Sequence, residues 1–267
     1  MKSYYITTPI YYVNDKPHIG HAYTTILADT LARFRRLVSQ ESFFLTGLDE
    51  HGLKVQQAAE KNGVSAKDHC DKMAPAFLEL WNKLNIQYSD FIRTTEDRHV
   101  KIVQNILNEV NKNGDIYQDE YEGWYSVAEE RFITDRELDS GLFREAKKIK
   151  ERNYFFKMSK YQDALIEKIE KDTNFIQPTT RKNEVLGFLK QDLSDLCISR
   201  PKSRLEWGIE IPFDKDYVTY VWFDALINYI SAPKYSEDDK HFKQLWPADV
   251  HLIGKDILTT HSVYWPT

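Results

Sequence analysis

The chain has 267 residues, enough for one large domain or two smaller ones, and it carries 36 Lys and Arg against 41 Asp and Glu. The net charge of −5 argues against wholesale electrostatic attraction to nucleic acid. No apolar run approaches the length of a membrane span and the N-terminus is too polar for a signal peptide, so we expect a cytoplasmic protein with no membrane partner. Cys70 and Cys197 lie far apart in sequence, which argues against a disulfide framework or a cysteine zinc site.

Strands and helices alternate along the first part of the chain. We predict a strand at residues 3–8, a helix from Gly20 to about Val38, a strand at 42–46 that Gly47 stops, and a helix at 53–61. Apolar residues recur every three or four positions in the first helix, and Asn62-Gly63 is a good C-cap for the second. This order of strand, loop and helix indicates a parallel α/β sheet.

The sequence pattern changes after Gly114 and changes back after residue 200. Helices are predicted at 65–84 and 96–113, a hairpin at 116–127, helices at 161–171 and 181–191, a strand at 217–222, a helix at 225–230, a strand at 250–254, and a last helix after Lys255 and Asp256. We therefore predict a sheet domain in two parts, residues 1–114 and 201–267, interrupted by an inserted domain at 115–200.

A phosphate site is the strongest functional signal. His18-Ile19-Gly20-His21 follows the first strand directly and begins a helix. A helix N-terminus offers free N–H groups and the positive end of the helix dipole to an anion, and Gly20 leaves room for close approach. His18 and His21 can donate hydrogen bonds to phosphate oxygens and stabilise charge in a transition state. We therefore predict an ATP phosphate site in an enzyme that transfers an adenylyl group.

Three further segments each allow a functional and a plainer interpretation. Asp49 can neutralise a substrate ammonium group or cap the helix that follows it. Trp222, Ala225 and Tyr229 would share one face of a helix, where they either wall an apolar pocket or pack in the core. Asp256 can accept a hydrogen bond from a ribose hydroxyl or cap a helix.

Taken in chain order, these segments resemble the class I aminoacyl-tRNA synthetases, and among them the methionine-specific members. The resemblance spans the whole chain and is carried by residues 8–14 (TPIYYVN), 18–21 (HIGH), 46–52 (TGLDEHG), 91–95 (FIRTT), 153–156 (NYFF), 220–225 (YVWFDA) and 251–256 (HLIGKD). It implies a Rossmann-type parallel sheet as the catalytic domain, split by an inserted α+β connective domain. It also implies activation of methionine by ATP, with Mg²⁺, to methionyl-adenylate, and then transfer to tRNA(Met).

The resemblance implies a role for each residue at a matching position. ATP would be bound by His18, Gly20, His21, Glu210, Gly254 and Asp256, of which His18 and His21 would be catalytic. Methionine would be bound by Pro9, Ile10, Tyr12, Asp49, Arg200, Trp222, Ala225, Leu226, Tyr229, Ile257 and His261, with Asp49 at the amino group. Aromatic rings favour contact with a thioether sulfur, and a hydroxyl or imidazole can donate a hydrogen bond to it, which leucine cannot accept.

The chain departs from the family pattern at the zinc knuckle that many relatives carry in the inserted domain. Ser126 and Glu129 stand where cysteines would be expected, and Asp139-Ser140-Gly141 replaces the second pair. A tetrahedral cysteine site needs thiolates, so we predict no zinc.

Two signals concern the phosphate-binding machinery and the extent of the chain. Lys157-Met158-Ser159-Lys160 is similar to the second signature of the family, KMSKS, but it lies in the inserted segment, where we expect the lysines to flank a helix start in solvent. The pattern ends in mid-helix at Thr267, before the positions of the signature loop and the anticodon-binding domain. We therefore expect a C-terminally truncated fragment of the catalytic region that lacks half of its phosphate clamp.

A basic patch in the inserted segment either meets the acceptor end of tRNA or is a solvated face. It consists of Arg144, Lys147, Lys148, Lys150, Arg152, Lys157 and Lys160.

Three alternatives remain beside methionine activation. One is a related synthetase for leucine, isoleucine, valine or cysteine, although the inserted segment is too short for the editing domain of the first three and no zinc ligands for cysteine selection are evident. The others are a nucleotidyltransferase that shares the histidine motif and a catalytically inactive fragment that binds methionine.

Overall fold

The computed structural model describes residues 2–126, 131–133, 138–139 and 146–267. The strands are β1 (Tyr4–Thr7), β2 (Tyr11–Tyr12), β3 (Ser42–Asp49), β4 (Asp90–Arg93), β5 (Ile116–Ser126), β6 (Arg131–Ile133), β7 (Ala146–Phe156), β8 (Leu196–Cys197), β9 (Ser199–Pro201), β10 (Glu210–Ile211), β11 (Asp214–Thr219) and β12 (Val250–His251). The α-helices are α1 (Ile19–Leu37), α2 (Leu53–Lys61), α3 (Ala66–Lys83), α4 (Asp97–Lys112), α5 (Gln162–Lys171), α6 (Thr179–Phe188), α7 (Val221–Leu226), α8 (Asn228–Ser231) and α9 (Asp239–Leu245).

The strands of the central sheet are parallel, as the alternation of strands and helices predicted. Strand β1 pairs with β12 on one side and with β3 on the other, while β4 and β2 also pair with β3. Parallel strands end at the same edge of a sheet, which is where such sheets bind ligands. The loops after β1, β3 and β12 therefore meet at one edge.

Helices cover both faces of this sheet. Ala28 and Ala32 of α1 pack against Tyr4, Ile6 and Phe44 on one face. The other face buries Tyr5, Leu45 and Ile92 against residues of α7, α8 and α9. Burial on both faces explains why the strands read as continuous apolar runs rather than as alternating patterns.

Helix α1 turns a different face to the sheet from the one that the sequence indicated. The buried positions are Thr25, Ala28, Asp29 and Ala32, whereas the large apolar side chains that recur along the helix, such as Phe34 and Leu37, are exposed. Small side chains allow the helix to approach the sheet closely, so size rather than hydropathy selects the buried face.

We predicted that Gly47 would stop β3, but the glycine lies inside the strand. A Cβ atom at this position would be 2.0 Å from the carbonyl oxygen of Ile92 on the neighbouring strand β4. The glycine therefore serves the close approach of two strands. Strand β3 continues to Asp49 and carries that residue to the edge of the sheet.

Residues 116–126 of the predicted hairpin form a single long strand. Strand β5 pairs antiparallel with β7 along its full length, from Ile116 opposite Phe156 to Ser126 opposite Ala146. Gly123 lies opposite Ile149 in the ladder. Strands β6 and β8 complete this second sheet, and β9, β10 and β11 form a third.

Two strands in the last part of the chain differ from the prediction: the strand predicted at 217–222 lies at Asp214–Thr219, and the strand predicted at 250–254 is shorter. Strand β11 ends at Thr219, and Tyr220 is already the N-cap of α7. Strand β12 ends at His251 and is followed by a 3₁₀ turn at Lys255–Ile257 and a π-helical turn at Thr260–Tyr264.

One buried apolar cluster joins the predicted inserted segment to the rest of the molecule. It includes Ile102 of α4, Phe156 of β7, Ile169 of α5 and Ile230 of α8. Among the residues that the structure describes, no helix is long and apolar enough to cross a membrane.

Candidate functional site

A cavity of about 830 Å³ opens at the edge of the sheet where β1, β3 and β12 end. Its volume lies within the range of small-molecule sites. Fifteen of the predicted site residues line it: Pro9, Ile10, Tyr12, His18, Gly20, His21, Asp49, Trp222, Ala225, Leu226, Tyr229, Gly254, Asp256, Ile257 and His261. Segments far apart in sequence thus converge on one concave surface.

His18 and His21 form a reciprocal cap at the N-terminus of α1. The backbone N–H of Gly20 donates to Nδ1 of His18 (3.1 Å), and the N–H of His18 donates to Nδ1 of His21 (3.2 Å). A ring nitrogen that accepts a hydrogen bond carries no proton, so each neutral ring keeps its proton on Nε2. Both rings therefore have Nε2–H as a donor for an anion.

His21 is neutral at physiological pH. Its ring stacks on that of His18 with centroids 3.7 Å apart. Burial, with an electrostatic contribution from the neighbouring His18 ring, lowers the pKa of His21 to about 4. The pair can thus donate hydrogen bonds to phosphate oxygens at the positive end of the helix dipole, while His21 contributes no full positive charge.

Asp49 is followed directly by two residues of buried ion-pair networks. Its neighbour Glu50 is fully buried and accepts from Nε of Arg93 at 2.6 Å and from the hydroxyl of Thr95. The next residue, His51, contacts the carboxylate of Asp224 through Nδ1 at 2.6 Å. The backbone that carries Asp49 is therefore anchored immediately after it by two side chains that point away from the cavity.

An aromatic and imidazole pair closes the apolar end of the cavity. Nδ1 of His261 lies 3.0 Å from the carbonyl oxygen of Ile257, and its Nε2 lies 2.8 Å from the hydroxyl of Tyr229. A carbonyl only accepts, so Nδ1 carries the proton and Nε2 accepts from Tyr229. Burial lowers the pKa of His261 to about 4 and raises that of Tyr229, which keeps both groups neutral.

The hydrogen-bonding protons of this pair are already engaged. The expectation that a hydroxyl or imidazole donates to a thioether is therefore not met by Tyr229 and His261 as they stand. The apolar end is instead defined by shape and by the rings of Trp222 and Tyr229.

Gly254 and Asp256 occupy the turn after β12. A Cβ atom at Gly254 would lie 2.7 Å from Oδ1 of Asp256, so the glycine gives the carboxylate room to fold back over the turn. Before this turn, Nδ1 of His251 lies 2.7 Å from the hydroxyl of Thr7, and burial lowers the pKa of His251 to about 3.

Two predicted site residues lie outside the cavity. Glu210 is exposed on β10 and forms an ion pair with Lys202, which lowers the pKa of Glu210. Arg200 is buried on β9, where its guanidinium donates to the carbonyl of Ser199 at 2.7 Å and lies 4.8 Å from the centre of the Tyr220 ring. Both belong to the three-stranded sheet beside the cavity, and the contact of Glu210 with adenosine and the place of Arg200 near the amino acid stay predictions.

Further residues line the cavity that sequence reasoning did not select: Tyr11, Asn14, Tyr23, Thr24, Leu27, Lys54, Val221, Asn228, Leu252 and Ile253. Lys54 lies in the first turn of α2, right after the acidic segment, and that position was a signal that could have identified it. The others have ordinary core or helix-face patterns in the sequence.

The segment Lys157–Lys160 lies outside the cavity, as predicted. The Nζ atom of Lys157 donates to the carbonyl of Gly114 (2.7 Å), and that of Lys160 pairs with Asp115 (2.6 Å). Met158 is buried in the apolar cluster, and Ser159 donates to Asp195 at 2.6 Å. The four residues thus connect β7 to the core just before α5.

Charges of both signs alternate across the predicted basic patch. Lys148 pairs with Glu122 (2.9 Å) and Lys150 with Glu120 (3.0 Å) across β5 and β7. Arg144 lies outside the described residues. A ladder of opposite charges is typical of a solvated sheet face and reduces the field that a nucleic acid would encounter.

The predicted absence of zinc concerns residues that the structure describes only in part. Glu129, Ser140 and Gly141 lie outside the described residues, so the prediction stays open there. Within the described ranges, no group of three or more His, Cys, Asp or Glu could hold a metal ion.

Comparisons with known proteins agree with one another. A family model described as tRNA synthetases class I (M) matches residues 4–142 and 137–267. The chain is 52% identical to a methionine–tRNA ligase of Clostridium tetani and 51% identical to that of Clostridium perfringens, in each case over 99% of this chain and 42% of the relative. It superposes with a TM-score of 0.94, at 44% identity, on Mycobacterium tuberculosis methionyl-tRNA synthetase in complex with methionyl-adenylate, covering all of this chain and 54% of that one. The chain therefore spans about half the length of the proteins it matches.

Proposed function

Because the chain belongs to the class I tRNA synthetases of that family model, we propose that its cavity binds methionine and ATP and joins them as methionyl-adenylate, with release of pyrophosphate. The observation that carries the proposal is the convergence of the paired histidines, Asp49 and an aromatic pocket on one cavity. The relative of known structure with which the chain superposes holds methionyl-adenylate, the product of this step.

The phosphate end of the site is assigned to the N-terminus of α1. His18 and His21 donate hydrogen bonds from Nε2 to phosphate oxygens, where negative charge is redistributed as the α-phosphorus is attacked. The N-terminal N–H groups of α1 add their partial positive charge. Gly254 and Asp256 would hold the adenosine. We expect Mg²⁺ to enter with the nucleotide, bound mainly through phosphate oxygens and water.

The amino-acid end is assigned to the opposite part of the cavity. The carboxylate of Asp49 pairs with the methionine ammonium group, and the methionine side chain enters the pocket of Trp222, Ala225 and Tyr229. The methionine carboxylate then attacks the α-phosphorus: a new O–P bond forms, the bond to the bridging oxygen breaks, and pyrophosphate leaves. The chain's residues contribute positioning and charge stabilisation, and no covalent enzyme intermediate is needed.

The wider role rests on the same proposal. We propose that residues 1–114 and 201–267 form the catalytic domain and that 115–200 form an inserted connective domain. The adenylate would be passed to tRNA(Met) for translation, which places the reaction in the cytoplasm. We keep the prediction that the connective domain binds no zinc, and metal analysis that finds one tightly bound zinc per chain would contradict it.

Calorimetry on the 267-residue chain tests the proposal. We expect L-methionine and a non-hydrolysable ATP analogue to bind, and L-leucine to bind at least about tenfold more weakly than methionine. Asp49→Asn should raise the Kd for methionine about tenfold or more, because it removes a charged partner of the ammonium group, while the Kd for the ATP analogue should stay within about twofold.

Asp29→Asn is the matched control. Asp29 is buried to the same degree as Asp49 and accepts from Nε of Arg33 (2.7 Å) and the N–H of Gln87 (3.0 Å), but it does not line the cavity. Its variant should leave methionine affinity unchanged. Binding of leucine as tight as that of methionine would contradict the proposed substrate, and pyrophosphate exchange then decides whether the bound amino acid is activated.

A further inference from the structure

A buried carboxylate behind the amino-acid end of the cavity is shared by two histidines. Asp224 lies in α7 and is fully buried. Its Oδ2 lies 2.6 Å from Nδ1 of His51, and its Oδ1 lies 2.7 Å from Nε2 of His99. Burial opposes the charge, but the two histidines outweigh it and lower the pKa of Asp224, which keeps it ionised. An ionised group without access to water must be compensated by such partners.

The two histidine partners of Asp224 come from different elements of the fold. His51 follows Asp49 by two residues, at the end of β3, and His99 lies in α4 behind the cavity. Asp224 itself lies between Trp222 and Ala225, which both line the cavity. The carboxylate thus ties the helix that carries the apolar wall to the strand end that carries the predicted ammonium ligand.

His99 extends the connection to the next helix. Its Nδ1 lies 2.9 Å from the hydroxyl of Ser231 in α8, and that hydroxyl lies 2.9 Å from the carbonyl oxygen of Ile227. Tyr229, which closes the apolar pocket, belongs to the same short helix. Helices α7 and α8 are therefore both attached to α4 through one imidazole ring.

We propose that Asp224, held between His51 and His99, is a positioning residue for amino-acid binding, because it holds Trp222 and Ala225 in register with Asp49. This inference rests on the proposed function. Asp224 does not line the cavity, and it acts through the residues on either side of it. A misplacement of bound groups by about 1 Å can slow a reaction by about a hundredfold, so small displacements of the cavity wall matter.

Two variants at His51 separate positioning from simple stabilisation. His51→Ala removes the donor to Asp224, whereas His51→Asn puts an amide N–H close to where Nδ1 was. We expect His51→Ala and Asp224→Asn to raise the Kd for methionine about tenfold or more, with the Kd for an ATP analogue changed by less than about twofold. His51→Asn should restore most of the methionine affinity. Binding is measured by calorimetry on the full chain, after thermal unfolding has shown that each variant is folded.

Asp115→Asn is the matched control for loss of a buried carboxylate. Asp115 is also buried and has two partners, Lys160 (2.6 Å) and the hydroxyl of Tyr161 (2.7 Å), but neither it nor they line the cavity. Its variant should not change methionine affinity selectively. If Asp224→Asn does not fold, the comparison of His51→Ala with His51→Asn still tests whether Asp224 positions the cavity wall.

The outcomes are distinguishable. The inference is overturned if folded His51→Ala binds methionine as the unaltered chain does, if affinities for methionine and the ATP analogue fall together, or if Asp115→Asn shows the same selective loss. If the unaltered chain itself binds neither methionine nor the ATP analogue, the proposed function fails first and the inference falls with it.

Discussion

Two carboxylates next to the cavity wall are fully buried, whereas two ion pairs on the antiparallel sheet of the 115–200 segment are exposed. Glu50 and Asp224 have no accessible surface, whereas the Lys148–Glu122 and Lys150–Glu120 pairs are more than half exposed. A buried pair is costly to break and fixes geometry, while an exposed pair contributes little to stability. The comparison indicates that charge holds the shape of the cavity and keeps the antiparallel sheet solvated.

The largest expected effect on stability is that of an alanine substitution at Gly47 in β3, compared with one at Gly187 in the 115–200 segment. Gly47→Ala places a methyl group 2.0 Å from the carbonyl oxygen of Ile92, so β3 and β4 must separate. We expect it to lower the free energy of unfolding by more than about 3 kcal/mol, measured by urea denaturation. Gly187→Ala in α6, where a Cβ would meet nothing within 4 Å, is the control and should raise it by about 0.5–1 kcal/mol. If both substitutions change the free energy of unfolding equally, the inferred difference in packing around Gly47 and Gly187 is wrong.

The next effect concerns the buried and exposed acids themselves. Glu50→Gln removes the fully buried one of the two carboxylates that pair with Arg93, at 2.6 Å, and leaves Asp71 as its remaining partner. We expect a loss of about 3 kcal/mol in the free energy of unfolding. Glu122→Gln, in the exposed pair with Lys148, should leave the denaturation midpoint unchanged. If both variants have the same denaturation midpoint, the buried pair does not stabilise the fold more than the exposed pair does.

Acid should destabilise the cavity region selectively. All eight histidines lie outside residues 115–200. Burial lowers the pKa of His251 to about 3 and those of His21 and His261 to about 4. The unfolded chain therefore takes up these protons first, near pH 6.5, so stability is full above that pH and is lost as the pH falls toward 4.

Denaturation at two pH values measures this effect. We expect the free energy of unfolding to be lower at pH 4.5 than at pH 7 by about 2 kcal/mol for each of these three histidines, and His261→Gln to reduce the difference. Hydrogen exchange should show the loss at the central sheet before β5 and β7. If His261→Gln loses as much stability between pH 7 and pH 4.5 as the unaltered chain, the loss does not come from His261.

The smallest expected effect is that of the lysine segment at 157–160, in contrast to that of the paired histidines. Lys157→Gln and Lys160→Gln should leave the Kd for an ATP analogue within about twofold of the unaltered chain, because neither side chain lines the cavity. His18→Ala should instead slow pyrophosphate exchange by about a hundredfold, since it removes a phosphate hydrogen-bond donor. A weakened nucleotide affinity in Lys157→Gln would assign the lysines to the phosphate site after all.

Local sequence signals predicted the elements that local physics controls. The bounds of α2 agree with the prediction, and Gly63 has the positive φ of 64° that its C-cap requires. Predictions failed where a distant strand decides the outcome. Gly47 and Gly123 are both inside strands, because each faces a partner strand that the sequence does not place beside it.

The same distinction holds for the site. The histidine motif was selected because it directly follows a strand and begins a helix, whereas Asp49 was selected only when all the segments were taken together in chain order. Arg200 and Glu210 were selected through the resemblance, and they lie in the three-stranded sheet, outside the cavity lining. Asn228 and Ile253 have no sequence signal at all, because they line the cavity only through the folding of their segments.

The sequence by itself determined the parallel α/β arrangement, the phosphate motif at a helix start and the family to which the chain belongs. Strand and helix periods and helix caps are local, so the sequence carries them directly. Only the tertiary structure decided which nitrogen of each site histidine carries the proton, and that Asp224 joins β3, α4 and α7. Those features depend on hydrogen-bond partners that lie up to 173 residues apart in the chain, and folding alone brings such partners together.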